Sequence, residues 1–283
     1  MIPLREIAVR ATLICVIGFI ITGCENSFTP FAEKRVEILS INGFLDADVD
    51  TQFVRVAIIR NEIEQVASLN DSLSVELRDL NTAAVTAMTD SLVSLGDGER
   101  AHLFFTDIPI LGDRDYRITA TGPGGGTSAQ QTTVPGRIAF ARNTATNGQG
   151  TGQYVQTLTF ANLPLRPESV DVVYTVLRNG TGDAIRVVIP YRDLMVQVPT
   201  ISGYQLTVRL EQDRITVLSV LGLPIENGTT VLQNVSLEYA LLSDEWRIPR
   251  NPNRLDFFAS AASYVEEWTL PESVLDDMGY ATP

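Results

Sequence analysis

Beyond residue 24 the chain contains no cysteine; the two it has, Cys15 and Cys24, both lie near its start. From residue 25 onward a disulfide, a thiolate nucleophile and a Cys-ligated zinc site are therefore excluded. Histidine is nearly absent, with His102 the only one. It sits in the apolar stretch AHLFF, which reads as a pleat or edge position of a strand. No G-x-S-x-G pattern accompanies any serine, and a histidine-based zinc site would lack partners. Positive charge is scarce: 21 Lys and Arg stand against 34 Asp and Glu, for a net charge of −13. That balance argues against nucleic acid, which needs clustered cations, and against peripheral binding to anionic head groups. Long apolar runs are missing after residue 24. The longest, VLSVLGL at 217–223, is far short of the ~20 residues of a membrane-spanning helix and reads as a strand.

What the chain does have begins with its leader. MIPLREIAVR carries Arg5 and Arg10 against Glu6, and residues 11–23 are apolar or small without a charge. This is the length of a signal-peptide core. Ile21, Thr22, Gly23 and Cys24 resemble the bacterial lipobox: an aliphatic residue, two small ones that fit a peptidase groove, and the cysteine whose thiolate takes a diacylglyceryl group. The resemblance implies cleavage before Cys24 (residues 1–23 being the signal peptide), a covalent diacylglyceryl group and an N-acyl chain. An uncleaved anchor or an ordinary secretory signal is the alternative. Each buried CH₂ contributes about 0.8 kcal/mol, so two or three chains hold a protein at a membrane without a spanning helix. Glu25 in place of Asp implies, by the same resemblance, passage to the outer membrane. Residues 24–35 read as the lipidated cysteine and a tether, which reaches at most about 35–40 Å.

Removing a leader of charge +1 from a chain of −13 leaves −14 on residues 24–283. An apolar fraction of 45% supplies a proper core, and a chain of this length suggests two domains. From residue 36 the text is short alternating strands separated by turns. In 52–60, Phe53, Arg55, Ala57 and Ile59 share one side, and Val54, Val56 and Ile58 the other. In 72–79, Leu73, Val75 and Leu77 alternate with Ser74, Glu76 and Arg78. Such period-two segments indicate a mainly β fold, with an immunoglobulin-like β-sandwich over 36–135. Gly112 and Tyr116 suggest a tyrosine corner, and PGGG at 123–126, which lacks a phosphate loop's lysine, is a hairpin connection. Val134-Pro135-Gly136 marks a boundary, and 136–283 forms a second β domain. Within it 214–221 reads as a strand after a turn at Gln212-Asp213. The spacings of Leu232, Val235, Tyr239, Leu242 and Trp246 predict one amphipathic helix over about 230–246. The ending, rich in aromatics, reads as a docked tail with one helical turn near 271–278.

Candidate site residues are few. Trp246, Tyr264 and Trp268 could line a sugar-binding face, although core packing also explains them. Asp46, Asp48 and Asp50 alternate as in a calcium loop, but Thr51 replaces the required glycine and Ala57 the required glutamate, so a solvated acidic turn is the better reading. Asp113/Asp115 and Glu266/Glu267 are carboxylate pairs of the kind a glycosidase uses, and nothing in the sequence selects either.

The lipobox, ILSINGFLDADVDTQFVRVAIIR, SLSVELRD, DYRITATG and the final FFASAASYVEEW together resemble the uncharacterised two-domain β lipoproteins of Bacteroidota-type bacteria found near TonB-dependent receptors. The chain departs from them at RLDFFASA, where they tend to carry glycine-rich text. The resemblance implies a lipid-anchored, non-enzymatic binding or accessory protein of the outer membrane, partnered by the membrane and by a receptor or other envelope protein. It assigns no residue beyond Cys24. The rival expectation is a glycan-active hydrolase or a carbohydrate-binding module.

Overall fold

A computed structural model of the chain describes residues 38–59, 72–96, 99–147, 154–177, 182–224, 230–248 and 256–281. The leader, Ile21, Thr22, Gly23, Cys24 and the tether lie outside the described residues. The fold is mainly β, and the described residues form three sheets in a sandwich-like arrangement.

The strands follow the alternation of the sequence. β1 (Ile38–Asp46) buries Leu39, Ile41 and Leu45, and β2 (Gln52–Ile59) buries Val54 and Val56. β3 (Ser74–Asp79) buries Val75 and Leu77 while Ser74, Glu76 and Arg78 face water. Each such side chain taken from water contributes about 1.5–3 kcal/mol, which fixes the register, because a one-residue slip would expose the whole set. β4 (Val85–Ala87), β5 (Thr89–Gly96), β6 (Glu99–Thr106), β7 (Arg114–Thr121) and β8 (Thr127–Val134) complete the first half. The turn at 122–126 joins β7 to β8, closed by Gly122 N–H to Gly126 O. The tyrosine corner is present: buried Tyr116 accepts the N–H of Leu111 at 3.0 Å.

The second half contributes β9 (Ala141–Asn147), β10 (Tyr154–Phe160), β11 (Ser169–Leu177), β12 (Ala184–Pro190), β13 (Val196–Val198), β14 (Gly203–Arg209), helix α1 (Leu210–Leu221), β15 (Val231–Leu242), β16 (Phe257–Trp268) and helix α2 (Glu272–Asp277). The helical turn expected in the tail is α2. One eight-stranded sheet, in the order β12-β11-β15-β16-β1-β2-β6-β5, runs through both halves. Its inner face packs on two smaller sheets, β4-β3-β7-β8 and β13-β14-β10-β9, forming two hydrophobic cores. Pro135 and Gly136 carry the chain from one small sheet towards the other. The first core is not built from 36–135 alone. β16 inserts parallel to β1 and supplies Phe258 and Ala262 to it.

Two expectations are corrected. The segment expected as a helix over 230–246 is strand β15 followed by a 3-10 turn, Asp244–Trp246. Pairing with β11 skips Gln233, so Asn234 faces Thr175 and Leu232 faces Val176. This bulge sets Leu232 and Val235 on one face three residues apart, which imitates helical spacing. After it, Val235, Leu237, Tyr239 and Leu241 are buried at period two. Conversely, 214–221, expected as a strand after a turn at Gln212-Asp213, belongs to α1. Leu210, Asp213, Val217 and Leu218 face inward, and two adjacent inward residues do not fit a pleat. Gly222, at φ 67°, ends the helix, with Leu223 N–H returning to Leu218 O.

Candidate functional site: an aromatic row on the outer face of the large sheet

Period two on β1, β2 and β6 turns Phe44, Phe53 and Phe105 to the face opposite the cores. The register aligns them: Phe44 opposes Phe53, and Phe53 opposes Phe105. On the other flank Phe44 opposes Ala259, a fully buried alanine whose small side chain leaves space above β16. Trp246 enters there, with ring centroids 5.6 Å from Phe44 and 5.1 Å from Phe257, edge-on to the latter. Phe53 and Phe105 lie 6.2 Å apart. The rings thus follow four adjacent strands, about 15 Å at ordinary strand spacing. Phe44 is 45% and Phe53 50% exposed. Polar groups interleave with the rings: Asn42 opposes Arg55 next to the phenylalanine pair, and its amide donates to Ser40 Oγ at 2.7 Å.

A hydroxyl network fixes the turn that carries Trp246. Ser243 N–H donates to Ser260 O at 2.9 Å, extending the sheet where β15 has ended. Ser260 N–H donates back to Ser243 Oγ at 2.9 Å, and Ser260 Oγ donates to Thr133 O at 2.9 Å. Thr132 Oγ1 lies 3.0 Å from both Ser260 Oγ and Glu245 Oε2. The indole of Trp246 then donates to Ser260 O at 3.0 Å.

The sequence-based aromatic trio does not form one surface, which corrects that expectation. Tyr264 and Trp268 sit four residues apart on β16 and point inward, whereas Trp246 lies on the outer face. Trp268 is 6% exposed in the second core, under the Arg142 guanidinium at 5.1 Å. Tyr264 touches both cores and donates to Pro135 O at 2.6 Å. Sequence reading missed Phe44 and Phe257 as partners of Trp246, and Phe53 and Phe105 as the rest of the row. The available signal was the β1–β2 hairpin, which places Phe44 and Phe53 across from each other on the side that also carries Arg55.

Most of the remaining candidates are engaged locally. Asp46 O accepts from Gln52 Nε2 at 2.8 Å, Asp46 Oδ1 takes Asp48 N–H at 2.9 Å, and Asp48 Oδ2 takes Ser263 N–H at 2.8 Å. Asp46 and Asp48 therefore shape the β1–β2 turn. Among the described residues no group of three metal-ligating side chains converges. His102 Nδ1 lies 2.9 Å from both oxygens of Asp90. Asp115 accepts Thr133 Oγ1 at 2.5 Å, Glu266 pairs with Arg137 at 2.8 Å, and Glu267 accepts Asn234 Nδ2 at 3.4 Å. Glu266 and Glu267, as neighbours on a strand, point to opposite faces. Asp171 and Glu238 oppose each other across β11 and β15. Partial burial, then the Glu238 charge, pushes the Asp171 carboxyl up. Asp213 is the buried carboxyl of the second core, held by Tyr174 Oη at 2.6 Å and Tyr191 Oη at 2.7 Å.

No family model matches the chain, and no curated protein matches it in sequence. Among solved structures, it aligns with pullulanase from Anoxybacillus sp. LM18-11 complexed with maltotriose, at 13% identity and a TM-score of 0.23. A second structure of that pullulanase aligns at 12% identity and a TM-score of 0.23. Both alignments cover 72% of this chain and 24% of the pullulanase, so the chain spans about a quarter of the length of the structures it matches.

Proposed function

We propose that this is a lipid-anchored protein of the bacterial outer membrane that binds an envelope or environmental glycan without converting it, the aromatic row being its contact surface. The observation that carries the binding reading is the row itself. Scattered exposed apolar residues are ordinary, but contiguous ones mark contact sites. Ring faces stack on the C–H faces of pyranose units, while the exposed Arg55 offers hydrogen bonds to hydroxyls beside them. A row of rings across the open face of a sheet suits an extended chain better than a small enclosed ligand. Attachment rests on the Ile21-Thr22-Gly23-Cys24 motif.

Two outcomes test this reading. Cys24→Ala should move the protein from the membrane fraction to the soluble fraction, because it removes the only acceptor for the diacyl group; unchanged membrane retention contradicts the anchor. In affinity electrophoresis through gels containing soluble α-glucan, xylan or galactomannan, the protein should be retarded by at least one of them. The double variant Phe53→Ala/Trp246→Ala should weaken that retardation about tenfold or more, corresponding to about 1.4 kcal/mol. Migration unaffected by every polysaccharide, or retardation indifferent to the double variant, removes the glycan reading.

A further inference from the structure

We propose that Gln130 and Thr132 of β8 are positioning residues for the aromatic row. They hold Trp246 and Phe257 as a separate subsite that distinguishes long glycan chains from short ones, an inference that rests on the glycan reading. The row is held in two ways. Phe44, Phe53 and Phe105 project directly from β1, β2 and β6, and register alone aligns them. Trp246 lies in no strand, but ends the 3-10 turn Asp244–Trp246, whose N-cap Ser243 makes no side-chain capping bond. Phe257 is the first residue of β16. It is paired with β1, whereas the ladder between β15 and β16 starts only at Ala261.

Each of these two rings follows a carboxylate that β8 grips. β8 is the edge strand of one small sheet and packs against β16 and β1. Period two turns Gln130, Thr132 and the buried Val134 towards them. Thr132 Oγ1 donates to Glu245 Oε2 at 3.0 Å, one residue before Trp246. Gln130 Nε2 donates to Asp256 Oδ2 at 3.1 Å, one residue before Phe257. The other oxygen of Asp256 takes the Ile41 N–H of β1 at 2.8 Å. Two side chains of one strand thus hold both approaches to the edge-on pair of rings, whose centroids are 5.1 Å apart.

Thr132 is the hub of the first grip. A hydroxyl has one proton, and a carboxylate is the strongest acceptor within its reach. Ser260 Oγ gives its own proton to Thr133 O at 2.9 Å, and Ser243 Oγ lies 3.3 Å from Thr132 Oγ1. Thr132 is buried away from bulk water, so its hydroxyl has no solvent to turn to if Glu245 moves. The row is divided as a result. A chain short enough to lie on Phe44, Phe53 and Phe105 is independent of β8, whereas one that runs on to Trp246 and Phe257 depends on it.

The test uses the full chain, first without ligand. Trp268 is 6% exposed, so quenching of tryptophan fluorescence by acrylamide reports Trp246. Thr132→Val removes the hydroxyl at nearly constant shape, and quenching should rise about twofold or more as the turn opens locally. Gln130→Leu, which releases Asp256 beside Phe257, should raise it less. Thr132→Ser keeps the hydroxyl and should behave as wild type. In gels containing α-glucan, xylan or galactomannan, Thr132→Val should weaken retardation about threefold or more, yet add nothing to Trp246→Ala. Used as competitors, six-unit oligosaccharides of the retarding polysaccharide should lose about threefold in potency against Thr132→Val, and two-unit ones nothing. Quenching indifferent to Thr132→Val and Gln130→Leu overturns the proposal. So do a Thr132→Ser variant that behaves like Thr132→Val, losses that add to Trp246→Ala, or equal losses for both oligosaccharides. If no polysaccharide retards the wild-type chain while quenching responds as expected, the glycan reading fails and the positioning of Trp246 by β8 stands.

Discussion

Gly203→Ala should destabilise the protein by about 3 kcal/mol or more, enough to lower the midpoint of thermal unfolding by roughly 10 °C in a chain of this size. Gly203 begins β14, between β10 and β13, where it opposes Val198. A Cβ added there would stand 1.9 Å from Phe160 O and 3.0 Å from Phe160 C. Those atoms are backbone of β10, which the ladder with β14 and the fully buried Leu158 and Leu206 hold in place. No rotamer relieves the contact, so the strands must part at the edge of the second core. Gly222→Ala provides the comparison. That glycine sits at φ 67° with nothing within 4 Å of an added Cβ, so its replacement should cost only about 1 kcal/mol, from backbone conformation alone. Equal losses from the two substitutions in urea or thermal unfolding would show that the strands yield at Gly203.

Much of the architecture was legible because burial on one face writes itself into alternation. β2 and β3 were readable residue by residue, and the Tyr116 corner followed from a glycine and a tyrosine in the right order. The exchange of helix and strand in the second half has one physical source. Around β15 a single skipped residue, Gln233, shifts the phase of the alternation, so a strand shows helical spacing. In α1 the β-branched Ile215, Val217 and Val220 suggest a strand, but Ile215 and Val220 are solvent-facing and decide nothing. The inward face is set by Leu210, Asp213, Val217 and Leu218, and a carboxylate among them reads as a turn to anyone who cannot see the two tyrosines that receive it.

Continuity of the large sheet was likewise out of reach, because it depends on β16 returning to lie parallel to β1 more than two hundred residues away. No local pattern announces a partner at that separation. The same long-range pairing builds the aromatic row. Phe44 and Phe53 are hairpin neighbours, but Trp246 and Phe257 join them only once β16 has been placed beside β1. Trp268, the other tryptophan, looked equivalent in the sequence. Its even position on β16 sends it into the core, whereas Phe257 at an odd position faces outward.

Replacing the buried carboxyl of Asp213 should have a comparable cost and a distinctive pH dependence. Asp213 is 3% exposed on the inner face of α1. It accepts from Tyr174 Oη at 2.6 Å and from Tyr191 Oη at 2.7 and 2.8 Å. Tyr191 Oη in turn accepts Arg209 N–H at 3.2 Å, just before the helix. Asp213→Ala removes the acceptor and leaves two buried hydroxyls to point at a void, a loss of about 2–6 kcal/mol at about 1–3 per orphaned group. Burial pushes the Asp213 carboxyl up, and the two tyrosine donors oppose the shift without cancelling it. Burial also pushes the hydroxyls of Tyr174 and Tyr191 up, with the Asp213 charge next in importance, so both remain donors throughout the acid and neutral range. The unfolded carboxyl titrates near about 3.9, below its folded value, so the folded state binds this proton more tightly. The stability that the proton supplies is complete below about pH 4 and is lost as pH rises through the folded value. Asp213→Asn keeps an acceptor for the tyrosines and does not titrate. The advantage of wild type over Asp213→Asn in urea unfolding should therefore be greatest at the acid end, shrink as pH rises from about 4, and level off once the folded value is passed. Taking the difference between the two proteins cancels the other carboxylates, which titrate alike in both. An advantage that instead grew with pH would mean that the tyrosine donors outweigh burial, and Asp213 would be a stabilised anion rather than a carboxyl held towards its neutral form.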